Sequence, residues 1–232
     1  MEVGGARGVV LRIILGHRRT DYGYFLRGLN LTFNARILDV GSGAGNFVLR
    51  LLRDGFRRVM GVDYFVPVDV YRSGQLIVRK AQIYDLTDTH DVIVFNNLFE
   101  HMDDQREVLR KTYELLSKDG YLILLIPLCD SFACRNYGKN WVQWDAPRHF
   151  YLHTQKSINL LCRQNGFKLL KVIYNSSRFQ FEGSEVYLRG MTLQAVDNRK
   201  SLLGKRKQFT KAAEFLNSIN DGDSACFDFQ KR

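Results

Sequence analysis

The sequence predicts a doubly wound α/β fold with a mostly parallel sheet. Short β-prone or apolar runs alternate with segments in which apolar residues recur at helical spacing. The first run, 36–40, ends in a glycine-rich turn, and a helical pattern follows at once. Apolar runs of buried-strand type occur at 91–95 and 121–126, with a helical pattern near 105–117 between them. Strands and helices that alternate in this way imply parallel strands joined by crossover helices.

The other elements continue this alternation. A second strand is predicted at 58–63, where it ends in an acid, and a third at 76–78. A helix capped by Thr154 is predicted next, and a strand follows it at 167–174. Residues 179–190 are predicted to form either a final strand or a short helix.

The 232 residues suit one domain with additions. We predict a helical segment at 1–34, an α/β domain at 35–190 and a helical tail at 191–232. Within the domain, residues 128–153 are irregular and rich in aromatic residues, which favours a loop or lid on the substrate side of the sheet. An apolar stripe in the tail predicts a helix docked on the domain. Contact within a homodimer is the alternative, so a monomer and a homodimer both remain open.

Composition restricts the function classes. With 45% apolar and 25% charged residues, the chain is neither disordered nor fibrous. The net charge of +10 suits an anionic partner, such as nucleic acid, a phosphorylated substrate or an acidic membrane surface, although a merely solvated basic surface is the alternative. Four cysteines without metal-ligand spacing predict reduced thiols, no metal site and a cytoplasmic location. The longest N-terminal apolar run is too short to span a bilayer.

The strongest chemical signal is the turn 39–45, Asp-Val-Gly-Ser-Gly-Ala-Gly, followed by Asp63 at the end of the second predicted strand. Glycines at such a turn let a ligand approach the backbone, and the acid can accept both hydroxyls of a ribose. Together they predict a site for an adenosine cofactor. The spacing is G-x-G-x-G, whereas a dinucleotide site has G-x-G-x-x-G. This difference favours S-adenosylmethionine, whose amino-acid end carries an ammonium in place of a pyrophosphate.

At these residues the chain resembles the class I S-adenosylmethionine-dependent methyltransferases, over roughly 30–175. The resemblance rests on segments 37–45, 61–63, 91–101 and 117–127. It is closest to the small-molecule branch that includes quinone-biosynthesis enzymes, and 141–152 is similar to members associated with sugars or glycolipids. It implies a seven-stranded Rossmann-like sheet. It also implies methyl transfer that yields S-adenosylhomocysteine without a metal.

The resemblance further implies roles for individual residues of the cofactor site. Asp39 and Gly41 are implied to lie near the ammonium and carboxylate of the cofactor, and Asp63 to hold its ribose. Gln82 falls where the family often has an acid that meets the adenine amino group, and an amide oxygen also accepts that hydrogen bond. Asn96 is implied to lie beside the cofactor at the tip of the fourth strand. The remaining implied residues are Ser42, Gly43, Tyr64, Ile83 and Leu98.

Methyl transfer to a hydroxyl requires an aligned nucleophile and a base. The candidates for the base are His149, alternatively a substrate ligand, and His101, alternatively a helix cap. Positive side chains outnumber negative ones by eight to two in 128–180, and Arg148 is the candidate for bidentate contact with an acidic group of the acceptor. The aromatic side chains predicted to cover the acceptor, or else to form the loop's own core, are Trp141, Trp144 and Tyr151.

The function predicted from these observations is O-methylation of a small or glycan- or lipid-linked acceptor, which carries phosphate or carboxylate if the basic residues line its pocket. An RNA methyltransferase is one alternative, favoured by the net charge but lacking an appended RNA-binding module. A nicotinamide oxidoreductase is disfavoured by the glycine spacing. A non-catalytic methyltransferase-like subunit that binds partners is the alternative from another class.

Overall fold

The computed structural model describes residues 25, 26, 28–193 and 203–232. These residues form one sheet of eight strands with helices on both faces. The strands are β1 (Arg36–Val40), β2 (Arg58–Val62), β3 (Val70–Arg72), β4 (Gln75–Arg79), β5 (His90–Asn96), β6 (Leu116–Pro127), β7 (Phe167–Tyr174) and β8 (Ser224–Lys231). The α-helices are α1 (Asn46–Arg53), α2 (Gln105–Leu115), α3 (Phe132–Tyr137), α4 (Gln155–Gln164), α5 (Phe179–Leu188) and α6 (Arg206–Ser218).

The sheet confirms the predicted fold class. Its strand order is β3-β4-β2-β1-β5-β6-β8-β7, and β4, β2, β1, β5 and β6 run parallel. Strand β3 is antiparallel to β4 at one edge, and β8 is antiparallel to both β6 and β7. The described residues therefore contain eight strands, one more than expected, because the chain after β2 adds a short hairpin strand.

Apolar side chains of the helices cover both faces of the sheet. Phe47, Val48 and Leu51 of α1 pack on one face, while α2 and α4 supply the apolar side chains of the other. Because β1, β2 and β5 are parallel neighbours, their carboxyl ends lie along one edge, where ligands bind in open α/β sheets. No helix in the described ranges has the length and hydrophobicity to cross a bilayer.

The predicted tail proves to be partly a strand of the sheet. Helix α6 confirms the apolar stripe, since its Phe209 stacks on Phe181 of α5. Residues 224–231, however, form β8, which lies between β6 and β7. Sequence reasoning missed this strand because it follows a polar, helical segment and its uninterrupted apolar run, 225–227, is only three residues long. Asp228, a buried acid inside the strand, interrupts its apolar residues.

The N-terminal segment also differs from the expectation. Of its described residues, 25 and 26 have 3₁₀ geometry and are buried in the core, whereas 28–34 form turns and irregular backbone with Leu29 and Leu31 packed against the core. Residues 1–24 of that predicted helical segment lie outside the described residues. The undecided stretch 179–190 is mainly helix α5. The segment 128–153 contains the short helix α3 and two 3₁₀ turns.

Candidate functional site

The glycine turn joins β1 to α1 through close backbone contacts. The Gly41 N–H donates to the Val62 carbonyl at 2.8 Å, which ties the turn to β2. Gly45 precedes α1 with a φ of 78°, and a Cβ at this position would lie 2.6 Å from Ile77 Cγ2. A Cβ on Gly41 would lie 2.5 Å from Leu98. The turn therefore needs glycine both for its left-handed backbone and for its packing.

Asp63 fixes the shape of this turn from the end of β2. Its Oδ2 accepts the Gly43 N–H at 2.8 Å, and its Oδ1 accepts the Phe65 N–H at 2.8 Å. An ionised carboxylate has about four acceptor positions. Two remain after these bonds, and they suit the two hydroxyls of a ribose.

Asp39 is a buried acid near the end of β1, next to the glycine turn. Its side chain is 2% exposed, and its Oδ1 has no hydrogen-bond partner among the residues that the structure describes. Burial, and then the charge of Asp63, raise its pKa to about 8. A buried carboxyl without a partner is costly. A cationic group bound beside it, such as an ammonium, would offset that cost.

A cleft of about 270 Å³ opens above these groups. It brings together four residues that the sequence predicted for the cofactor, namely Asp39, Gly41, Ser42 and Asn96. It also contains three that sequence reasoning missed, Asn46, Phe47 and Arg50. All three lie in α1, which begins directly after the glycine turn. This position next to the turn is the sequence signal that could have identified them. The Arg50 guanidinium gives the cleft a cation suited to a carboxylate.

The other predicted cofactor residues lie outside the walls of this cleft. Leu98 packs on Gly41, and Tyr64 is 56% exposed in the chain after β2. Gln82 is exposed, and its N–H donates to Asp85 at the start of a 3₁₀ turn. Ile83 is buried in the core, while Gly43 contacts Asp63.

The second group of polar residues lies after β5 and in the loop 128–153. The rings of His101 and His149 are 4.7 Å apart. His101 Nδ1 lies 2.9 Å from the Arg148 carbonyl, and His149 Nδ1 lies 2.7 Å from the Gln143 carbonyl. Burial lowers the pKa of His149. The loop therefore brings together two histidines that the sequence separates widely.

Glu100 completes this group, and sequence reasoning missed it. Its side chain is 2% exposed, and within the described ranges its Oε2 has no hydrogen-bond partner. Burial raises its pKa to about 8. A ligand atom of each of Glu100, His101 and His149 lies within 4.8 Å of the other two. The only signal in the sequence was its position next to His101.

The predicted acceptor residues fall into exposed and buried sets. Arg148 is exposed and pairs with Asp145, and Tyr151 is 47% exposed. Trp144 is 44% exposed and packs edge-on against Trp141. Trp141 itself is fully buried and donates to Asp223 at 3.0 Å. It belongs to the loop's own core, which is one of the two alternatives that the sequence left open for this residue.

The predicted alternative role of His101 as a helix cap is wrong. The cap of α2 is Asp104, whose side chain accepts the Glu107 N–H at 3.0 Å. His101 instead lies in the 3₁₀ turn Phe99–His101 and points its Nδ1 at the loop. The Glu100 carbonyl accepts N–H groups of Phe150 and Tyr151, which fixes the loop against this turn.

Comparison with known proteins places this geometry in context. A family model described as "Methyltransferase domain" matches residues 17–172. An uncharacterized methyltransferase from Staphylococcus carnosus is 26% identical over 144 residues, which is 58% of this chain and 66% of that protein. The match therefore spans just under two thirds of the relative's length.

Solved structures share the fold. An S-adenosylmethionine-dependent methyltransferase from Archaeoglobus fulgidus is 21% identical with a TM-score of 0.54, and the match covers 86% of each chain. Magnesium protoporphyrin IX methyltransferase from Synechocystis, solved with bound S-adenosylhomocysteine, is 13% identical with a TM-score of 0.53, covering 86% of this chain and 75% of that one.

Proposed function

The chain belongs to the methyltransferase domain family, and we propose that it moves the methyl group of S-adenosylmethionine to an oxygen atom of a small or glycan- or lipid-linked acceptor that carries an acidic group. The observation that carries this proposal is the buried Asp39 carboxyl, whose Oδ1 has no hydrogen-bond partner among the described residues, in a cleft beside the glycine turn. S-adenosylmethionine presents an ammonium group that suits it. A pyrophosphate would be repelled by the same carboxylate.

Residues of the cleft, together with Asp63 and Gln82 outside its walls, fit the parts of this cofactor. Asp39 would hold the ammonium, and Arg50 on the same wall would hold the carboxylate. The free acceptor positions of Asp63 would take the ribose hydroxyls, and Gln82 would meet the adenine amino group. When bound, the cofactor supplies an electrophilic methyl group on a sulfonium.

The loop side of the site supports an oxygen acceptor. A hydroxyl must lose its proton as its oxygen attacks the methyl group. The Nε2 atoms of His149 and His101 are the proposed proton acceptors, since both Nδ1 atoms face carbonyl oxygens. Arg148, exposed in the loop, is proposed to hold the acidic group of the acceptor, and Trp144 and Tyr151 to contact the rest of the acceptor.

Calorimetric titration of the purified chain tests the cofactor half of the proposal. S-adenosylmethionine and S-adenosylhomocysteine are expected to bind with micromolar affinity, and NADH is not expected to bind. Failure of both sulfur compounds to bind to folded protein would contradict the proposal. Binding without turnover across a panel of hydroxylated acceptors would favour a non-catalytic subunit instead.

The acceptor half is tested by Arg148→Ala in an assay with an active acceptor. The variant is expected to raise KM about tenfold for an anionic acceptor, as the loss of one charged contact predicts. Affinity for S-adenosylhomocysteine should stay unchanged. Lys139→Ala, which removes a cation from the same loop, is the matched control. An equal effect of both variants would point to general electrostatic attraction rather than a contact of Arg148.

We also propose that the protein works in the cytoplasm. All four of its cysteines are free thiols, and two of them, Cys162 and Cys226, are buried in the core. Free thiols are the usual state in a reducing compartment.

A further inference from the structure

We propose that Glu100, His101 and His149 form a binding site for a divalent transition-metal cation such as Zn²⁺ or Mn²⁺. The spacing of these residues in the sequence predicted no metal site, because His149 lies far along the chain from the other two. The fold brings one ligand atom of each within 4.8 Å of the others. Cation binding stands on this geometry alone, whereas its catalytic use rests on the proposed methyl transfer.

Hydrogen bonds to backbone carbonyls determine which nitrogen of each histidine ring can act as a ligand. A carbonyl oxygen only accepts hydrogen bonds, so His101 Nδ1 donates to Arg148 and His149 Nδ1 donates to Gln143. Each neutral ring then keeps an unprotonated Nε2 with a free lone pair. Histidine ligands of metals characteristically donate their other N–H to a carbonyl or carboxylate in this way.

Glu100 supplies the negative charge that a cation requires. Its side chain is 2% exposed and its Oε2 lacks a hydrogen-bond partner in the described part of the chain. Asp145 Oδ2 lies 3.7 Å from His149 Nε2 and adds a second negative group, although Asp145 also pairs with the exposed Arg148. Two neutral rings and a buried carboxylate give a pocket whose charge a cation balances.

The donor set indicates the class of cation. Two imidazole nitrogens and one carboxylate oxygen suit zinc, manganese or iron, and they leave coordination positions open. Bond lengths near 2.0–2.1 Å place the ligand atoms of such a site roughly 3.3 Å apart. The separations here are at most 4.8 Å, so the three side chains must move closer together when a cation binds.

An open coordination position gives the cation a use in the proposed reaction. The acceptor hydroxyl binds there, and its pKa falls, as it does for water on zinc. The proton passes to solvent, the oxygen forms a bond to the methyl carbon, and the carbon–sulfur bond breaks to leave S-adenosylhomocysteine. In this form of the mechanism the histidines are ligands rather than proton acceptors.

The experiment is titration of the chelator-treated full chain with Zn²⁺ and with Mn²⁺, followed by calorimetry and by elemental analysis of bound metal. One cation per chain is expected, with Zn²⁺ bound more tightly than Mn²⁺. Glu100→Gln and His149→Gln should each weaken binding at least 100-fold. His153→Gln is the matched control, because His153 contacts Gln105 and Ser157 instead and should leave affinity unchanged.

Two further measurements keep the result decisive. Co²⁺ bound at this site should lack the thiolate charge-transfer absorption that binding at Cys129 or Cys134 would produce. His101→Gln replaces the Glu100 variant if that variant fails to fold. Absence of a stoichiometric cation, equal affinity in the ligand variants or a thiolate spectrum would each overturn the site. Titration with S-adenosylhomocysteine separates this outcome from failure of the proposed function, because the cleft does not contain these three residues.

Discussion

The cofactor cleft and the histidine loop are both built from residues that follow parallel strands, yet they are constructed differently. The cleft is formed by β1, its glycine turn and the start of α1, with Asn96 added from the neighbouring β5. The loop is held by contacts between distant parts of the chain, such as Trp141 with Asp223 and His101 with Arg148. A local motif therefore shapes one region, and tertiary packing shapes the other.

The largest expected effect tests whether the cleft can form without the distant contacts. A chain that ends at residue 220 lacks β8, whose Phe227 and Phe229 are fully buried between β6 and β7. Burial of each Phe contributes about 1.5–3 kcal/mol, and the ladder bonds on both sides are lost as well. Total stabilities are only about 5–15 kcal/mol, so we expect no cooperative thermal transition by circular dichroism.

Phe227→Leu is the control for that truncation and should unfold cooperatively at a lower temperature. A truncated chain that still melts cooperatively and binds S-adenosylhomocysteine would show that the local motif folds by itself.

The next effect tests the cleft directly. Asp63→Ala removes the acceptor of the Gly43 and Phe65 N–H groups and the proposed ribose ligand. Affinity for S-adenosylhomocysteine should fall about 100-fold, as expected for two lost charge-assisted hydrogen bonds. Asp69→Ala is the calorimetric control, because Asp69 accepts the exposed Lys80 N–H and does not line the cleft. Equal losses in both variants would argue against a specific ribose contact.

A matched pair of glycines separates backbone strain from packing within the turn. Both Gly43 and Gly45 have positive φ, so alanine at either position costs about 1 kcal/mol of strain. Only at Gly45 does the new Cβ meet Ile77 and Val78, which adds about 1–3 kcal/mol. Urea denaturation should therefore show the larger loss for Gly45→Ala. Equal losses would mean that α1 shifts to relieve the contact.

The smallest effect is a pH dependence from Asp39. Its pKa of about 8 means that the free protein holds it protonated at neutral pH. Since the cofactor ammonium pairs with the ionised form, affinity for S-adenosylhomocysteine should rise with pH between 6 and 7.5, by at most about tenfold per unit. Asp39→Asn should bind more weakly and lose this slope. A slope that persists in the variant would assign the proton to another group.

The same raised pKa affects stability with the opposite sign. The unfolded chain loses the Asp39 proton near its ordinary pKa of 3.8, whereas the folded chain keeps it to about 8. Within that window the folded state binds more protons, so this group makes the ligand-free protein less stable as pH rises. Thermal melts of the wild type and Asp39→Asn should converge at low pH.

The difference between the cleft and the loop also explains which parts of the structure could be predicted from the sequence. The glycine turn and Asp63 could be recognised because their spacing lies within one strand–turn–helix–strand unit. Glu100 and Trp141 could not be assigned, because their burial depends on a loop that packs from elsewhere. Strand β8 was missed because Asp228, an acid whose burial also depends on packing from elsewhere, interrupts its short apolar run. Local geometry was therefore predictable, whereas partners across the fold were not.

The position of β8 has a consequence for synthesis on the ribosome. Strands β6 and β7 emerge well before β8, and helices α5 and α6 are made in the interval. Until β8 has been made, one edge of β6 lacks its neighbouring strand and β7 has no strand of the sheet with which to pair. Exposed edges of this kind recruit other strands and lead to aggregation. The growing polypeptide is therefore open to such pairing until β8 has been made.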